Sequence, residues 1–362
     1  MRLFCGIAPG LEEALAEEVR ALSERQVVPV EGGVELDGDL VDAAGLALWS
    51  RCAGEVLIRV GEIHAPSLEH FRKELSRLPW KDFVHPGQPT DVRVYGGRLG
   101  RTDVVAKKVV HTVRDALRGP RRAKRPPTHA VGVRVRLLGK RAVVSIVAAT
   151  GLHKRGWRRA TARAPIRENL ASACLVAAGW QPGVPLYDPF CGSGTFAIEA
   201  LRWGAAPGIG QTPPVTTLPA FPPRTWKRML DEARASRPEP TEVLAADRDV
   251  GAVRAARANA ERAGVALPIL QKDISASLDR KLTGPGLVMI NPPYGRRVAE
   301  NVKLAPLYRR AGDALGQQVQ GWRVAVVCAD AALAGRLGRN VEAIARFSNG
   351  GISVSLFIGQ TR

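Results

Sequence analysis

Aromatic residues make up only 5% of the 362-residue chain, too few for a platform on which successive unpaired bases stack. The five cysteines, Cys5, Cys52, Cys174, Cys191 and Cys328, are odd in number and scattered, with no Cys-x-x-Cys pair. That pattern excludes a disulfide framework and a cysteine zinc site, so no metal is expected and a reducing compartment fits better. Histidine is missing from everything after His153, which leaves the larger part of the chain without an imidazole for a base or a metal. Glu12 and Glu13 arrive too early for a signal peptide. The uncharged run 169–187 is broken by Gly179, Pro182, Gly183 and Pro185 and is no membrane span. The expectation is a soluble, cytoplasmic, monomeric protein with no membrane contact.

Acidic residues are nearly absent from one block. Residues 93–163 hold 20 Lys/Arg against 2 Asp/Glu, whereas residues 1–92 hold 9 against 16 and residues 164–362 hold 24 against 16. The net charge of +19 therefore sits almost wholly in one block, the pattern of a polyanion-binding module; a merely solvated basic face is the plain alternative. Its candidate phosphate contacts are Lys107 and Lys108 on a predicted helix over 101–117, and Arg121, Arg122, Lys124 and Arg125 in a proline-punctuated loop. Lys154, Arg155 and Arg158 around Trp157 complete the set. This density of cations suits the phosphates and shape of a folded, helical RNA, not its base edges. Arg134 and Arg136 alternate with Val133, Val135 and Leu137, which predicts a strand with one basic face.

The acidic front of the chain reads strand (1–7), helix (11–22), two strands around Gly32-Gly33 (26–36), helix (40–49) and strand (55–63). That order predicts a small α+β, ferredoxin-like unit, in which no chemistry is visible. Past Pro165 the pattern changes to a helix (166–178), a short strand (185–187), Asp188-Pro-Phe-Cys-Gly-Ser-Gly-Thr195 and another helix (196–203). Strand, acid, glycine loop and helix make the first crossover of a doubly wound sheet. Gly192 and Gly194 lack the third glycine of a dinucleotide loop, and no Gly-Lys-Ser/Thr follows for a phosphate loop. An acid beside such a loop suits a zwitterionic, positively charged ligand such as S-adenosylmethionine. A strand over 242–246 ends at Asp247, an acceptor for ribose hydroxyls, and Asp249 reads as the cap of a helix over 251–263. Asp273, after a strand over 268–270, is either an acceptor for an adenine amino group or a surface cap. The proline-rich segment 205–240 reads as an insertion over the sheet, with one helix over 226–235. Strands over 321–329 and 352–358 complete the sheet.

The stretch 286–295 runs Gly-Leu-Val-Met-Ile-Asn-Pro-Pro-Tyr-Gly. An apolar strand ends in an amide, two prolines that stiffen the chain, and an aromatic ring. The Asn291 carboxamide oxygen and a nearby backbone carbonyl can accept hydrogen bonds from an exocyclic NH2, with Tyr294 stacked on its ring. Two such acceptors favour a pyramidal nitrogen whose lone pair is free to attack. A Pro-Pro turn with Asn291 as a cap is the plain alternative.

Asp188 to Thr195, Asp247 and Asn291-Pro-Pro-Tyr-Gly295, in this order, resemble a class I amino-methyltransferase. With Leu152-His-Lys-Arg-Gly-Trp157, Ala164-Pro-Ile-Arg-Glu168 and Ala206-Pro-Gly208, the whole chain resembles the THUMP-containing RNA guanine-N2 methyltransferases of large-subunit ribosomal RNA and tRNA. The resemblance implies an α/β, Rossmann-like class I methyltransferase domain (156–362) preceded by an α+β ferredoxin-like domain (1–60) and a THUMP RNA-binding domain (61–155). It implies S-adenosylmethionine as cofactor, with Asp188, Phe190, Gly192 and Gly194 at its methionine end, Asp247 at the ribose and Asp273 at the adenine. Asn291 and Pro292 would hold the target amino group and Tyr294 would stack on the base. Two departures stand out: Arg296-Arg297 replaces the acid and Arg of the group, and 206–240 matches only loosely. 23S ribosomal RNA is the expected substrate, with tRNA as the alternative and a non-catalytic RNA-binding assembly factor as the reading from another class. A DNA adenine enzyme would carry a target-reading domain after Gly295, a protein glutamine enzyme has no use for the basic block, and a thiouridine synthase needs a Ser-Gly-Gly loop that is lacking.

Overall fold

The computed structural model describes residues 1–97, 99–118, 127–160, 165–276, 278, 282, 284–293 and 304–362. Two seven-stranded sheets organise them. The first begins as the sequence predicts: β1 (Arg2–Gly6), α1 (Glu12–Leu22), β2 (Val27–Val30), β3 (Gly33–Asp37), α2 (Leu40–Trp49) and β4 (Glu55–His64). Helix α1 buries Ala14, Leu15, Ala16 and Val19, one stripe at helical spacing. Helix α2 opens on a capping box between Asp39 and Asp42. The chain continues through α3 (Leu68–Ser76), β5 (Thr90–Tyr95), α4 (Thr102–Ala116), β6 (Val131–Leu138) and β7 (Arg141–Thr150).

The strand order β2-β3-β1-β4-β7-β6-β5 makes this one continuous sheet. The boundary expected at residue 60 falls inside β4. One edge of that strand bonds to β1 and the other to β7, so the units 1–60 and 61–155 share a backbone hydrogen-bond ladder. The basic face predicted on β6 also needs correction, because acids from β5 and from the β2–β3 hairpin share it with arginines of β6 and β4. Arg134 lies 3.7 Å from Asp91, Arg136 3.3 Å from Glu31 and Arg59 3.2 Å from Glu35.

The second sheet has the order β10-β9-β8-β11-β12-β14-β13. Its elements are α5 (Glu168–Ala177), β8 (Leu186–Asp188), α6 (Thr195–Leu201), α7 (Thr225–Ala235), β9 (Val243–Asp247), α8 (Val250–Ala263), β10 (Ile269–Gln271) and β11 (Leu287–Ile290). They end with α9 (Leu304–Gln318), β12 (Arg323–Cys328), α10 (Ala331–Ala334), β13 (Arg339–Asn349) and β14 (Ile352–Gln360). Five strands run parallel and β14 runs against both its neighbours. Connections leave β8 toward β9 on one side while β11 lies on the other. The crevice at the carboxyl end of β8 is thus the topological switch point of a Rossmann-like sheet, where such folds bind ligands.

The halves are joined by buried charge. Arg51, after α2, sends Nη1 to Glu199 Oε2 at 3.1 Å and Nη2 to the Ala205 carbonyl at 2.6 Å. Ser172 donates to the same Glu199 oxygen at 2.8 Å, and Arg155 Nε lies 3.6 Å from Oε1. The segment 205–240 belongs to this joint and not over the sheet. Gly208 N donates to Leu48 O at 2.9 Å, and Ala206 and Ala233 pack with Leu48, Trp226 and Met229. A buried ion pair contributes little net stability, yet removing one partner strands the other in a medium that cannot solvate it. Glu199→Ala should therefore cost roughly 3–5 kcal/mol, read as a lower urea midpoint, and should loosen both halves together.

Candidate active site

Strand register sets the depth of the crevice. Asp188 pairs with Ala245 and Tyr187 with Val288, so Asp247 and Asn291 each stand two residues farther out along the edge than Asp188. At about 3.3 Å per residue and about 4.8 Å between strands, Asp188 forms a floor roughly 7 Å below two walls some 10 Å apart. The sequence-predicted residues of β8, β9 and β11 thus converge on one edge, although their chain positions are far apart.

The glycine loop between β8 and α6 is pinned to the neighbouring strand. Cys191 N donates to Ala246 O at 3.0 Å and Gly192 N to Asp247 Oδ2 at 3.0 Å. Gly192 and Gly194 adopt left-handed φ values of 54° and 83°, which an L side chain resists. A Cβ on Gly194 would also press on Ala256 at 3.2 Å, so the loop sits directly on α8. Asp247 Oδ1 accepts from Asp249 N at 2.9 Å. A carboxylate has about four lone-pair directions, so both oxygens retain capacity for ribose hydroxyls.

Asp188 is 1% exposed, and its Oδ1 has no hydrogen-bond partner among the described residues. Burial, with the Asp247 charge second, holds its carboxyl well above the usual aspartate range; a hydrogen bond from the Phe190 backbone opposes this. Burial raises Asp247 as well, against the hydrogen bonds from Asp249 and Gly192. Two acids under strain from desolvation, one with an orphaned oxygen, form a site that a cation would relieve. The residues present therefore fit S-adenosylmethionine, whose ammonium and sulfonium charges are of that sign. Asp273, two residues past β10, accepts through Oδ1 from Ser275 N at 3.1 Å and Ser275 Oγ at 2.5 Å. Those bonds hold its carboxyl below the usual range, so Asp273 caps its own turn through one oxygen. Asp249 caps α8 as predicted, accepting from Ala252 N at 2.7 Å.

At the far wall, Asn291 is half-buried and Pro292 buried, directly past β11. The Pro293 carbonyl accepts from Tyr308 Oη at 3.2 Å, and that hydroxyl also lies 3.5 Å from Cys328 Sγ at the end of β12. Tyr308 was not singled out in the sequence. Its signal was the apolar spacing of Leu307, Tyr308, Ala311 and Leu315, all buried on α9. Asn259 was missed too: its Nδ2 donates to Ser193 O at 3.0 Å and Ala160 O at 2.9 Å, tying the interdomain segment to the glycine loop. Tyr294, and with it Arg296-Arg297, lies outside the described residues.

Of the expected RNA contacts, Lys107, Lys108 and Lys154 are exposed, while Arg121, Arg122, Lys124 and Arg125 lie outside the described residues. Arg155 and Arg158 are corrections. The Arg155 side chain is 3% exposed beside Glu199 and donates to the carbonyls of Leu152 and Arg51. Arg158 is 13% exposed, 2.8 Å from Glu168, and donates to Ile166 O at 2.6 Å. Both guanidiniums are spent on interior carboxylates and carbonyls.

The elevated Asp188 carboxyl has a signed consequence. A folded-state pKa above the unfolded one means the native state holds the proton longer, so this contribution to stability is full below the unfolded value. It is lost as pH rises toward the folded value. Asp188→Asn should remove that pH dependence and stabilise the ligand-free protein at pH 7, because the neutral amide avoids the cost of burying a charge. Affinity for S-adenosylmethionine should fall by roughly 10- to 100-fold through loss of a charged hydrogen bond. Thermal unfolding and calorimetry of the same variant check both.

Residues 155–356 match the family described as RMKL-like, methyltransferase domain, and residues 2–57 match the RlmL ferredoxin-like domain. "Putative RNA methyltransferase slr0064" of Synechocystis is 29% identical, over 98% of this chain and 95% of that protein. "Ribosomal RNA large subunit methyltransferase K/L" of Cellvibrio japonicus is 32% identical over 98% of this chain but only 50% of its own length. The chain therefore spans about half of that K/L relative. Among solved structures, SMU.472, "a putative methyltransferase complexed with SAH", superimposes with a TM-score of 0.88 at 25% identity, covering 100% of this chain and 98% of that one. With a match across more than half its length, laid on a switch-point crevice built to relieve two desolvated acids, the chain belongs to the RMKL-like methyltransferase family.

Proposed function

We propose that the protein transfers a methyl group from S-adenosylmethionine to the exocyclic N2 of a guanine in 23S ribosomal RNA. The observation that carries this reading is the register that raises Asn291-Pro292 beside the Asp188–Asp247 crevice on adjacent strands. S-adenosylmethionine supplies an electrophilic methyl. Asp188 takes the positive end of the cofactor, Gly192 and Gly194 admit it against the backbone, and Asp247 accepts from the ribose. Asn291 Oδ1 and the Pro292 carbonyl accept the two N–H bonds of the guanine amino group, and Tyr294 stacks on the base. With the cofactor bound, the new N–C bond would form as the C–S bond broke with its electron pair left on sulfur, and the surplus N–H proton would pass to water. No histidine follows His153, and an attack on a sulfonium needs none; positioning does the work. Reaching N2 within a paired region requires extruding the base at a cost of a few kcal/mol, which the cations of residues 61–155, read as a THUMP domain, offset. Guanine rests on the family likeness alone, and the ribosomal substrate on the likeness to the ribosomal RNA methyltransferase K/L of Cellvibrio japonicus.

Mass spectrometry of nucleosides from cells with and without the protein tests the substrate. Loss of N2-methylguanosine from the 23S fraction is expected. Its loss from tRNA instead would move the substrate, and no change in either would point to an RNA-binding assembly factor. In vitro, Asn291→Ala should slow transfer by roughly 10²–10³-fold, as loss of a preorganised polar group does, with cofactor affinity unchanged. Wild-type turnover in that variant would remove Asn291 from its role.

A further inference from the structure

Beside the crevice lies a second opening, a cleft of about 1000 Å³ between the two sheets. Neither Asp188, Asp247 nor Asn291 lines it. Its front wall is backbone-rich, at Gly6 and Gly54, with Glu55 beside them; its back wall is the first turn of α5 and the β13–β14 turn at Gly350 and Gly351. Cys328 pairs with Ser355, so the β13–β14 turn stands beyond the carboxyl end of β12. Arg323, at the amino end of β12, donates to Ala178 O just past α5 at 2.9 Å, which puts the first turn of α5 toward that same edge. The cleft therefore opens where Asp188, Asp247 and Asn291 converge.

Its chemistry is that of an anion site with a polar floor. Lys154 and Arg167 come from separate segments, both are exposed, and both line the cleft with His153. Neither Lys154 nor Arg167 forms an ion pair among the described residues, unlike the arginines on the sheet face. Burial, then Arg167, Lys154, Arg158 and Arg155, push the His153 imidazole down to about 4, so at neutral pH it is uncharged beside Arg167 and Lys154. Glu55 is the acid on the facing wall; burial raises its carboxyl, against Arg134 and Arg59. Asn169, 5% exposed, donates through Nδ2 to Cys52 O at 3.2 Å. That bond fixes the amide and leaves Oδ1 as a buried acceptor with no partner among the described residues, the complement of a sugar hydroxyl.

We propose that this cleft holds the ribose-phosphate backbone of one RNA strand, with Lys154 and Arg167 on a phosphate and Asn169 on the sugar side. The strand bearing the target nucleotide would enter the methyl-transfer edge between the two halves. This rests on the reading of the substrate as RNA. A strand threaded here is gripped by both halves at once, which explains why the backbone walls are glycine-rich and the cations unpaired.

The test uses the full-length protein, a single-stranded RNA oligonucleotide and the double variant Arg167→Ala/Lys154→Ala. Both side chains are exposed, and unchanged binding of S-adenosylhomocysteine verifies the fold. Each lost phosphate contact lowers the slope of log affinity against log salt by about 0.7 for single strands, so the double variant should lose about 1.4. In the wild type, saturating RNA should raise the His153 midpoint from about 4, followed by NMR. Lys107→Ala/Lys108→Ala, outside the cleft, should weaken binding while leaving that rise intact. A double variant with the wild-type slope, or RNA that saturates without moving His153, overturns the proposal. If the slope and the His153 signatures appear but no RNA is methylated, the cleft stands and the proposed reaction falls. If methylation proceeds with neither signature, the reaction stands and the cleft falls.

Discussion

Glu199 is 1% exposed and sits on α6, the helix that leaves the glycine loop. Arg51 reaches it from the front sheet, Ser172 from α5 and Arg155 from the connecting segment. A carboxylate in that position is tolerated only while its partners surround it, and those partners come from the front sheet, the connecting segment and α5. The site depends on this joint in a direct way. It fixes where the front sheet stands relative to the loop between β8 and α6, and so what the crevice at the end of β8 faces.

Around this joint the two halves divide the electrostatic work. The crevice at the end of β8 concentrates acids that desolvation disfavours, suited to a cationic cofactor. The neighbouring cleft sets Lys154 and Arg167, which form no ion pair among the described residues, opposite the single acid Glu55, an arrangement suited to an anionic strand. Opposite potentials side by side on one edge allow two charged reactants to be held close without either neutralising the other's site. Asn291-Pro292, at the boundary, is neutral. The Tyr308 hydroxyl ties the adjoining Pro293 carbonyl to the end of β12, so the chain just past β11 is braced by the sheet.

The basic block illustrates how charge counted along a chain differs from charge available on a surface. Arg134 and Arg136 lose their freedom to Asp91 and Glu31, and Arg155 and Arg158 to Glu199 and Glu168. Part of the positive excess in 93–163 is thereby spent on structure by acids that lie before and after it in sequence. Among the described residues, Lys107, Lys108, Lys140, Lys154 and Arg159 of that block remain exposed without an ion pair.

By itself the sequence determined the local elements and the order of the chemistry. Periodicity marked α1, α2, α8 and the strands of the second sheet; Asp188 with its glycines, Asp247 and Asn291-Pro292 were legible because each sits at a strand end whose neighbours announce it. The edge strand β13 escaped notice, being mostly exposed and without alternation, and α9 carried no motif to draw attention to its apolar stripe. Only the tertiary structure decided that β4 serves two units at once, that 205–240 buttresses α2, and that Asn259 and Tyr308 brace the site. It also decided that Arg155 and Arg158 face inward. The reason is physical: the fate of a charge or a strand edge depends on partners that only folding brings together, some of them far off in the chain, such as Arg51 and Glu199, 148 residues apart. No local pattern encodes that distance.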